Sequence, residues 1–181
     1  VPGTVAGLYL AHSRLGSLPW EDLVQPAVEL AREGIPITYS LQTGFERSAS
    51  RFRQYPASER KFIKADGSFY ELGETWVQPD LAHTLELIRD NGADGFYRGE
   101  NAERLASFMT DIGGLITEED LAAYAARERE PIRGTYRGYE IVSMPPPSSG
   151  GVGIVQMLNI LEGFDIADMG HNSSDYLHVL T

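Results

Sequence analysis

Three consecutive prolines, Pro145 to Pro147, place the strongest single constraint on the fold of this chain. None of them can donate a backbone hydrogen bond, so neither a strand ladder nor a helix interior can run through them. The stretch before them, from Pro131 to Met144, is rich in β-branched and aromatic residues and predicts strand structure. Within it, Gly134 and Gly138 are expected to mark bulges or bends. A new element must therefore begin after the prolines.

A very apolar helix is predicted soon after the prolines, over Val152 to Leu161. A helix that is apolar nearly all round is normally buried inside a larger body. The residues between, Ser148, Ser149, Gly150 and Gly151, expose backbone N–H groups at the helix start, which suits an anion or a close backbone neighbour. We therefore take these four residues as a candidate loop beside a substrate-binding site.

Three interpretations of this candidate loop stay open. Ser148 or Ser149 as an acyl nucleophile would need a base and an oxyanion hole, and the surrounding sequence offers neither. The second interpretation is a loop that lies next to a ligand. The third is a structural turn that leads into a capped helix.

Helical periodicity dominates the chain before the strand region. Apolar stripes between glycine and proline signals predict helices over Thr4–Leu15, Leu23–Glu33, Tyr39–Phe52, Pro79 to just before Asn91, and Asn101–Thr110. Thr117 to Asp120 resembles a capping box that starts a short helix running through Tyr124. Asp66-Gly67 lies between two short apolar runs and indicates a β-hairpin over residues 61–70.

Composition narrows the possible partners and chemistry. The 181 residues are 42% hydrophobic, so the chain can bury a core and is not a disordered tail, and the formal charge of −11 would repel nucleic acid and anionic membranes. The absence of cysteine excludes disulfides, thiolate metal sites and a cysteine nucleophile. No apolar run approaches the roughly 18 to 20 residues that a membrane span needs. The four histidines are scattered, and we expect neither a metal site nor a cofactor.

The two ends of the chain suggest a longer protein. The first residue is Val1, and no signal peptide is visible in the chain. At the other end, Ser173 to Thr181 has the pattern of a helix that has just begun, with Ser173 or Ser174 as its cap. We expect an excised piece of a longer polypeptide.

An ordered set of short segments resembles the gamma-glutamyltranspeptidase family along essentially the whole chain. The strongest is Ser143-Met-Pro-Pro-Pro-Ser-Ser-Gly-Gly151, followed by Gln156-Met-Leu-Asn-Ile-Leu-Glu162. The others are Val1–Gly7, Leu18–Trp20 with Gln25–Ala27, Gly95–Gly99, Gly114–Thr117 with Asp120-Leu121, and Arg133–Tyr139. The resemblance implies an α+β class: a mostly helical piece of the αββα sandwich of an N-terminal-nucleophile hydrolase, with the strands of residues 127–144 joining a sheet that other sequence completes.

The resemblance also implies the chemistry of the parent enzyme. Members of this family are made as one precursor that cleaves itself into a large and a small subunit, and the nucleophile is the threonine exposed at the start of the small subunit. It attacks the γ-glutamyl amide of glutathione or related compounds, without a metal, and the acyl group passes to an amino acid or to water. That threonine lies downstream of the matched segment, and a substrate-binding arginine lies upstream of Val1. The family's pair of carboxylate-binding serines belongs to the small subunit, so Ser148 and Ser149 are not that pair.

Residues 1–181 are therefore predicted to be part of a large subunit, truncated at both ends, without a catalytic residue or activity of its own. The expected partners are the small subunit of the same precursor and, in the full enzyme, small-molecule γ-glutamyl donors. Without that subunit, the apolar helix or the adjacent strand edge should be exposed and favour self-association. Family resemblance suggests a periplasmic or secreted location. Two alternatives stay open: an amidohydrolase similar to cephalosporin acylase on the same scaffold, and a non-catalytic homologue with a binding or structural role.

Overall fold

Ten α-helices, one short 3-10 helix and four short strands make up the chain, and the computed structural model describes all residues from 1 to 181. This composition confirms the predicted α+β, mostly helical class. The chain forms two units, Val1–Ala126 and Arg127–Thr181, and each is described by itself. None of the helices combines the length and the apolar character that crossing a membrane requires.

The first unit is built from eight helices and one small sheet. Its elements are α1 (Thr4–Leu15), α2 (Trp20–Glu33), β1 (Ile35–Pro36), α3 (Tyr39–Phe52), α4 (Pro56–Phe62), β2 (Thr75–Trp76), α5 (Pro79–Asn91), α6 (Asp94–Tyr97), α7 (Gly99–Asp111) and α8 (Glu118–Ala122). Local signals set several of the helix ends. Gly34 stops α2 with a φ of 90°, in the left-handed region that favours glycine. The capping box is confirmed, since Thr117 and Asp120 each accept a hydrogen bond from the other's backbone N–H.

Two separate clusters of buried side chains form the core of the first unit. One contains Ile37, Phe45 and Trp76, with further aromatic residues packed against it. The other contains Tyr97, Ala102 and Leu121, with helices α1, α6 and α7 contributing side chains around it. Each cluster lies entirely within residues 1–126, so this unit has a core of its own.

The predicted hairpin over residues 61–70 is wrong. Residues 61 and 62 end helix α4, and the ring of Phe62 stacks on that of Phe52 with the centroids 4.5 Å apart. Asp66 and Gly67 do form a tight turn, in which the Lys64 N–H donates to the Ser68 carbonyl oxygen at 3.0 Å. The runs on either side do not become paired strands because Phe62 is the last residue of α4. There its ring packs against the aromatic cluster, which is the buried cluster of Ile37, Phe45 and Trp76. The observed sheet instead pairs β1 with β2, antiparallel.

The second unit consists of a β-hairpin followed by helices. Its elements are β3 (Ile132–Tyr136), β4 (Tyr139–Ser143), α9 (Gly150–Leu161), a 3-10 helix (Ile166–Met169) and α10 (Ser174–Leu180). The predicted strand structure and apolar helix are confirmed. The expectation of bulges is corrected, because Gly134 pairs with Ile141 in a regular ladder. Arg137 and Gly138 are the two-residue turn, and both have positive φ, as a type I′ turn requires.

Helix α9 lies largely open to solvent in this chain. Its only buried residue is Gly151, whereas Met157 and Ile160 are more than half exposed. Helix α10 begins as predicted, with the Ser173 hydroxyl accepting a hydrogen bond from the Tyr176 N–H at 3.1 Å. The second unit therefore carries apolar side chains without enclosing them.

Candidate functional site

The candidate loop joins β4 to α9, and we call residues 145–151 the proline–glycine loop. The peptide bond between Pro146 and Pro147 is cis. The Ser148 N–H donates to the Pro145 carbonyl oxygen at 3.2 Å and closes a turn. Ser149 is the residue that precedes α9, and its carbonyl oxygen accepts the first helical hydrogen bond from the Gly153 N–H at 2.9 Å. The prolines thus follow the end of the strand, and the helix starts at Gly150, three positions after Pro147.

The two serines of the proline–glycine loop differ in their surroundings. The Ser148 hydroxyl accepts a hydrogen bond from the backbone N–H of Gly150 at 3.3 Å. The Ser149 side chain makes no capping hydrogen bond and is exposed. A serine nucleophile needs a base that accepts its proton, whereas the hydrogen bond at Ser148 is one that its hydroxyl accepts from a backbone N–H. The local geometry is that of a turn leading into a helix, and a role beside a substrate stays a prediction.

Gly151 makes the closest approach in this region. A Cβ atom built on Gly151 would lie 2.1 Å from the carbonyl oxygen of Met144 and 3.0 Å from its carbonyl carbon. Both atoms belong to the backbone, so they cannot move aside as a flexible side chain would. The close backbone neighbour that the two glycines suggested is therefore the end of the hairpin.

An apolar groove of about 470 Å³ runs along α9 beside the start of β3. It is lined by Ile132, Val152, Val155, Gln156, Asn159 and Ile160. Gln156 and Asn159 supply its only polar side chains, and both are neutral carboxamides. The groove therefore offers apolar surface and amide hydrogen bonds, but no acid, base or nucleophile.

Ionisable groups with shifted pKa values in the first unit have structural explanations. Lys64 donates to the Glu74 carboxylate at 2.7 Å, which lowers the pKa of Glu74 and raises that of Lys64. Burial raises the pKa of Tyr97, whose hydroxyl donates to the Pro2 carbonyl oxygen at 2.7 Å. Hydrogen bonds from Thr117 lower the pKa of Asp120 in the capping box. These groups tie segments together and do not converge on a cavity.

No three histidine, aspartate or glutamate side chains are grouped so that they could hold a metal ion. The most connected charged cluster lies on three helices of the first unit. His83 on α5 is 3.0 Å from the Glu100 carboxylate on α7, and Glu86 on α5 pairs with Arg32 on α2. With an arginine bound to Glu86, this cluster is a set of side-chain contacts that join the three helices.

Sequence reasoning identified the proline–glycine loop but missed a second close contact, between Gly134 in β3 and Val155 in α9. A Cβ atom on Gly134 would lie 2.7 Å from Cγ1 of Val155. The available signal was the glycine itself, since an isolated glycine inside a strand marks either a bulge or a close backbone approach. The prediction for Gly134 was a bulge or a bend, and the structure shows the close approach.

Comparison with known proteins covers the whole chain. A family model described as gamma-glutamyltranspeptidase matches residues 1–181. The glutathione hydrolase proenzyme of Escherichia coli (strain K12) is 46% identical over 179 residues, which is 99% of this chain and 31% of that protein. The chain spans about a third of the length of the curated relatives it matches.

Two solved structures share the fold over nearly all of this chain. The crystal structure of Helicobacter pylori gamma-glutamyltranspeptidase matches with a TM-score of 0.96 and 41% identity, covering 99% of this chain and 51% of that one. The crystal structure of cephalosporin acylase from Bacillus halodurans matches with a TM-score of 0.90 and 31% identity, covering 99% and 34%. Both neighbours have the N-terminal-nucleophile hydrolase fold that the family resemblance implies.

Proposed function

Since the chain belongs to the gamma-glutamyltranspeptidase family, we propose that it is the middle and later part of the large subunit of an enzyme that transfers or hydrolyses γ-glutamyl groups. The donors would be glutathione and related γ-glutamyl amides. One observation carries this proposal: the family match runs over residues 1–181, while the same residues span only 31% of a relative named as a glutathione hydrolase proenzyme.

The proposed reaction uses a threonine outside residues 1–181. Its hydroxyl oxygen bonds to the γ-glutamyl carbonyl carbon, the amide C–N bond breaks, and the leaving amine takes the proton. The resulting ester passes the γ-glutamyl group to the amine of an amino acid or to water, and the threonine hydroxyl is restored. The threonine becomes available when the precursor cleaves itself, so the partner of this chain would be the small subunit of the same precursor.

The part played by this chain would be structural. Its apolar groove contains no acid, base or nucleophile, and the hydrogen bond at the Ser148 hydroxyl comes from a backbone N–H and not from a catalytic base. Both observations support a chain that is inactive alone and that contributes a scaffold to the complete enzyme. The proline–glycine loop would lie beside the substrate site in that enzyme. We also propose export to the periplasm or the medium, as the family resemblance suggests.

The comparisons also support a second candidate, an acylase. The cephalosporin acylase of Bacillus halodurans shares the fold at 31% identity over 99% of this chain. An acylase would use the same kind of nucleophile on a different amide. Its distinguishing pocket residues would also lie outside this chain.

The test is made on the complete precursor polypeptide. We expect it to cleave itself into two chains, the smaller beginning with threonine by N-terminal sequencing, and to release nitroaniline from a γ-glutamyl nitroanilide. Release of the side chain of a cephalosporin without γ-glutamyl turnover would favour the acylase. A precursor that stays in one piece and turns over neither substrate would contradict both enzymatic proposals and favour a non-catalytic homologue. Cell fractionation of the producing organism tests the location.

A further inference from the structure

One face of α9 packs against the hairpin at two glycine residues. Gly151 and Val155 are four positions apart, so they lie on the same face of the helix, one turn after the other. Gly151 meets the backbone of Met144 at the end of the hairpin, and Val155 meets Gly134 in β3. We call these two contacts the glycine seat.

The contact at Gly134 is a notch in the surface of the hairpin. The residues that point the same way as Gly134 along β3 are Ile132 and Tyr136, and both are half-buried. A side chain at position 134 would fill the gap between them, because its Cβ would lie 2.7 Å and 3.1 Å from the two γ-carbons of Val155. The notch therefore fixes where α9 lies along the strand.

The contact at Gly151 closes the proline–glycine loop. Met144 is the residue before the loop, and Gly151 is its last residue, so their backbones meet where the chain leaves and re-enters regular structure. The three prolines between them are stiff and limit how the loop can adjust. A side chain at position 151 would push the two ends of the loop apart, and the serines would move with them.

We propose that Gly151 is a positioning residue for Ser148 and Ser149, acting through its backbone contact with Met144. The proposal rests on the proposed function, in which the proline–glycine loop lies beside the substrate of the complete enzyme. Any side chain at position 151 displaces the loop and weakens binding of the γ-glutamyl donor. The neighbouring Gly153 has no such role, since a Cβ atom there meets nothing within 4 Å.

The experiment compares Gly151→Ala with Gly153→Ala in the complete precursor. A misplacement of about 1 Å in a substrate-positioning group costs about 100-fold in catalytic efficiency. We expect Gly151→Ala to raise the KM for the γ-glutamyl donor by about 10- to 100-fold. The change in kcat per mole of self-cleaved enzyme should be smaller. Gly153→Ala should keep the wild-type KM. A merely structural role would lower the yield of cleaved enzyme and leave its KM unchanged, and that result would overturn the proposal.

Hydrogen exchange on the complete precursor provides a second readout that does not depend on activity. We expect the Ser148 and Gly150 amides to exchange faster in Gly151→Ala than in the wild type or in Gly153→Ala. Unchanged exchange in Gly151→Ala would overturn the proposal, even if the KM rises for another reason. If the wild-type precursor has no γ-glutamyl turnover, the proposed function fails, and the exchange rates alone decide whether Gly151 positions the loop.

Discussion

The two units of the chain differ in how far they bury their apolar residues. Every buried hydrophobic residue lies in the first unit, between Val28 and Leu121. In the second unit only Gly151 on α9 is buried, although that helix is the most continuously apolar segment of the sequence. A high apolar content therefore does not by itself give a unit its own core.

The difference follows from the number of layers that each unit supplies. The first unit encloses its clusters between several helices, so that a residue such as Leu121 is fully buried. The second unit offers one two-stranded hairpin and one helix packed on it, and an isolated hairpin is marginally stable in water. Its exposed side chains, among them Val152, Met157 and Ile160, agree with the proposal that other parts of the precursor cover them.

The largest effect is expected from a cavity in the first unit. Leu121 is 0% exposed, and replacing it with alanine should lower the free energy of unfolding by about 2–5 kcal/mol. Leu115→Ala is the matched control, because Leu115 is 90% exposed and its truncation leaves no cavity. Urea unfolding followed by tryptophan fluorescence measures both variants. Equal effects of the two substitutions would contradict the assignment of the core.

A smaller effect is expected from overfilling the notch of the second unit. Gly134→Ala should destabilise the packing of α9 on the hairpin by about 1–3 kcal/mol, because the new methyl group overlaps Val155. Adding Val155→Ala removes the γ-carbons and should recover part of this loss. Hydrogen exchange of the β3 amides reports on both variants. The overlap of residue 134 with Val155 would be refuted if the loss of stability in the double variant equalled the sum of the losses in the two single variants.

Self-association is a third way to distinguish the units. We expect the isolated chain to associate and to bind an apolar dye through α9, and the substitutions Met157→Ser and Ile160→Ser to reduce both. Leu115→Ser in the first unit is the control, since it removes an exposed leucine elsewhere. Light scattering and dye fluorescence give the result. A strictly monomeric wild-type chain without dye binding would contradict this expectation.

The smallest effect is expected at the capping box of α8. Hydrogen bonds from the Thr117 N–H and hydroxyl lower the pKa of Asp120 in the folded chain. A carboxyl with a lowered folded pKa stabilises the fold above its unfolded value of about 4 and loses that contribution as the pH falls through the folded value. Asp120→Asn should therefore flatten the loss of stability between about pH 5 and pH 2, whereas Thr117→Ser, which keeps the hydroxyl, should not. Identical urea midpoints of wild type and Asp120→Asn across this range would refute the effect.

Local signals in the sequence located most of the helices of the first unit. Gly34 ends α2 and Pro79 begins α5, because their backbone preferences act within a few residues. The pairing of β1 with β2 had no such signal, since each strand has two residues and they lie about forty positions apart. Pairing at that distance depends on how Trp76 packs in the aromatic cluster.

Turn residues were a poor guide to the hairpins of this chain: one strong signal did not give a hairpin, and the observed hairpin has a weak signal. Asp66-Gly67 is a preferred hairpin turn, yet packing of Phe62 keeps the preceding residues helical. Arg137-Gly138 is the actual hairpin turn, although arginine is not a preferred residue at positive φ. In the candidate site, the sequence identified the proline–glycine loop from its residue types. The contact of Gly151 with Met144 depends on the distance between two elements, which sequence patterns do not contain.

Hydrogen exchange of α9, measured in the isolated chain and in the complete precursor, tests most directly whether the second unit is completed by other sequence. We expect the α9 amides to exchange much more slowly in the precursor, because additional polypeptide covers the helix there. The amides around Val28 in α2 should exchange equally slowly in both, because the first unit already has its own core. Equal protection of α9 in the chain and in the precursor would contradict the account.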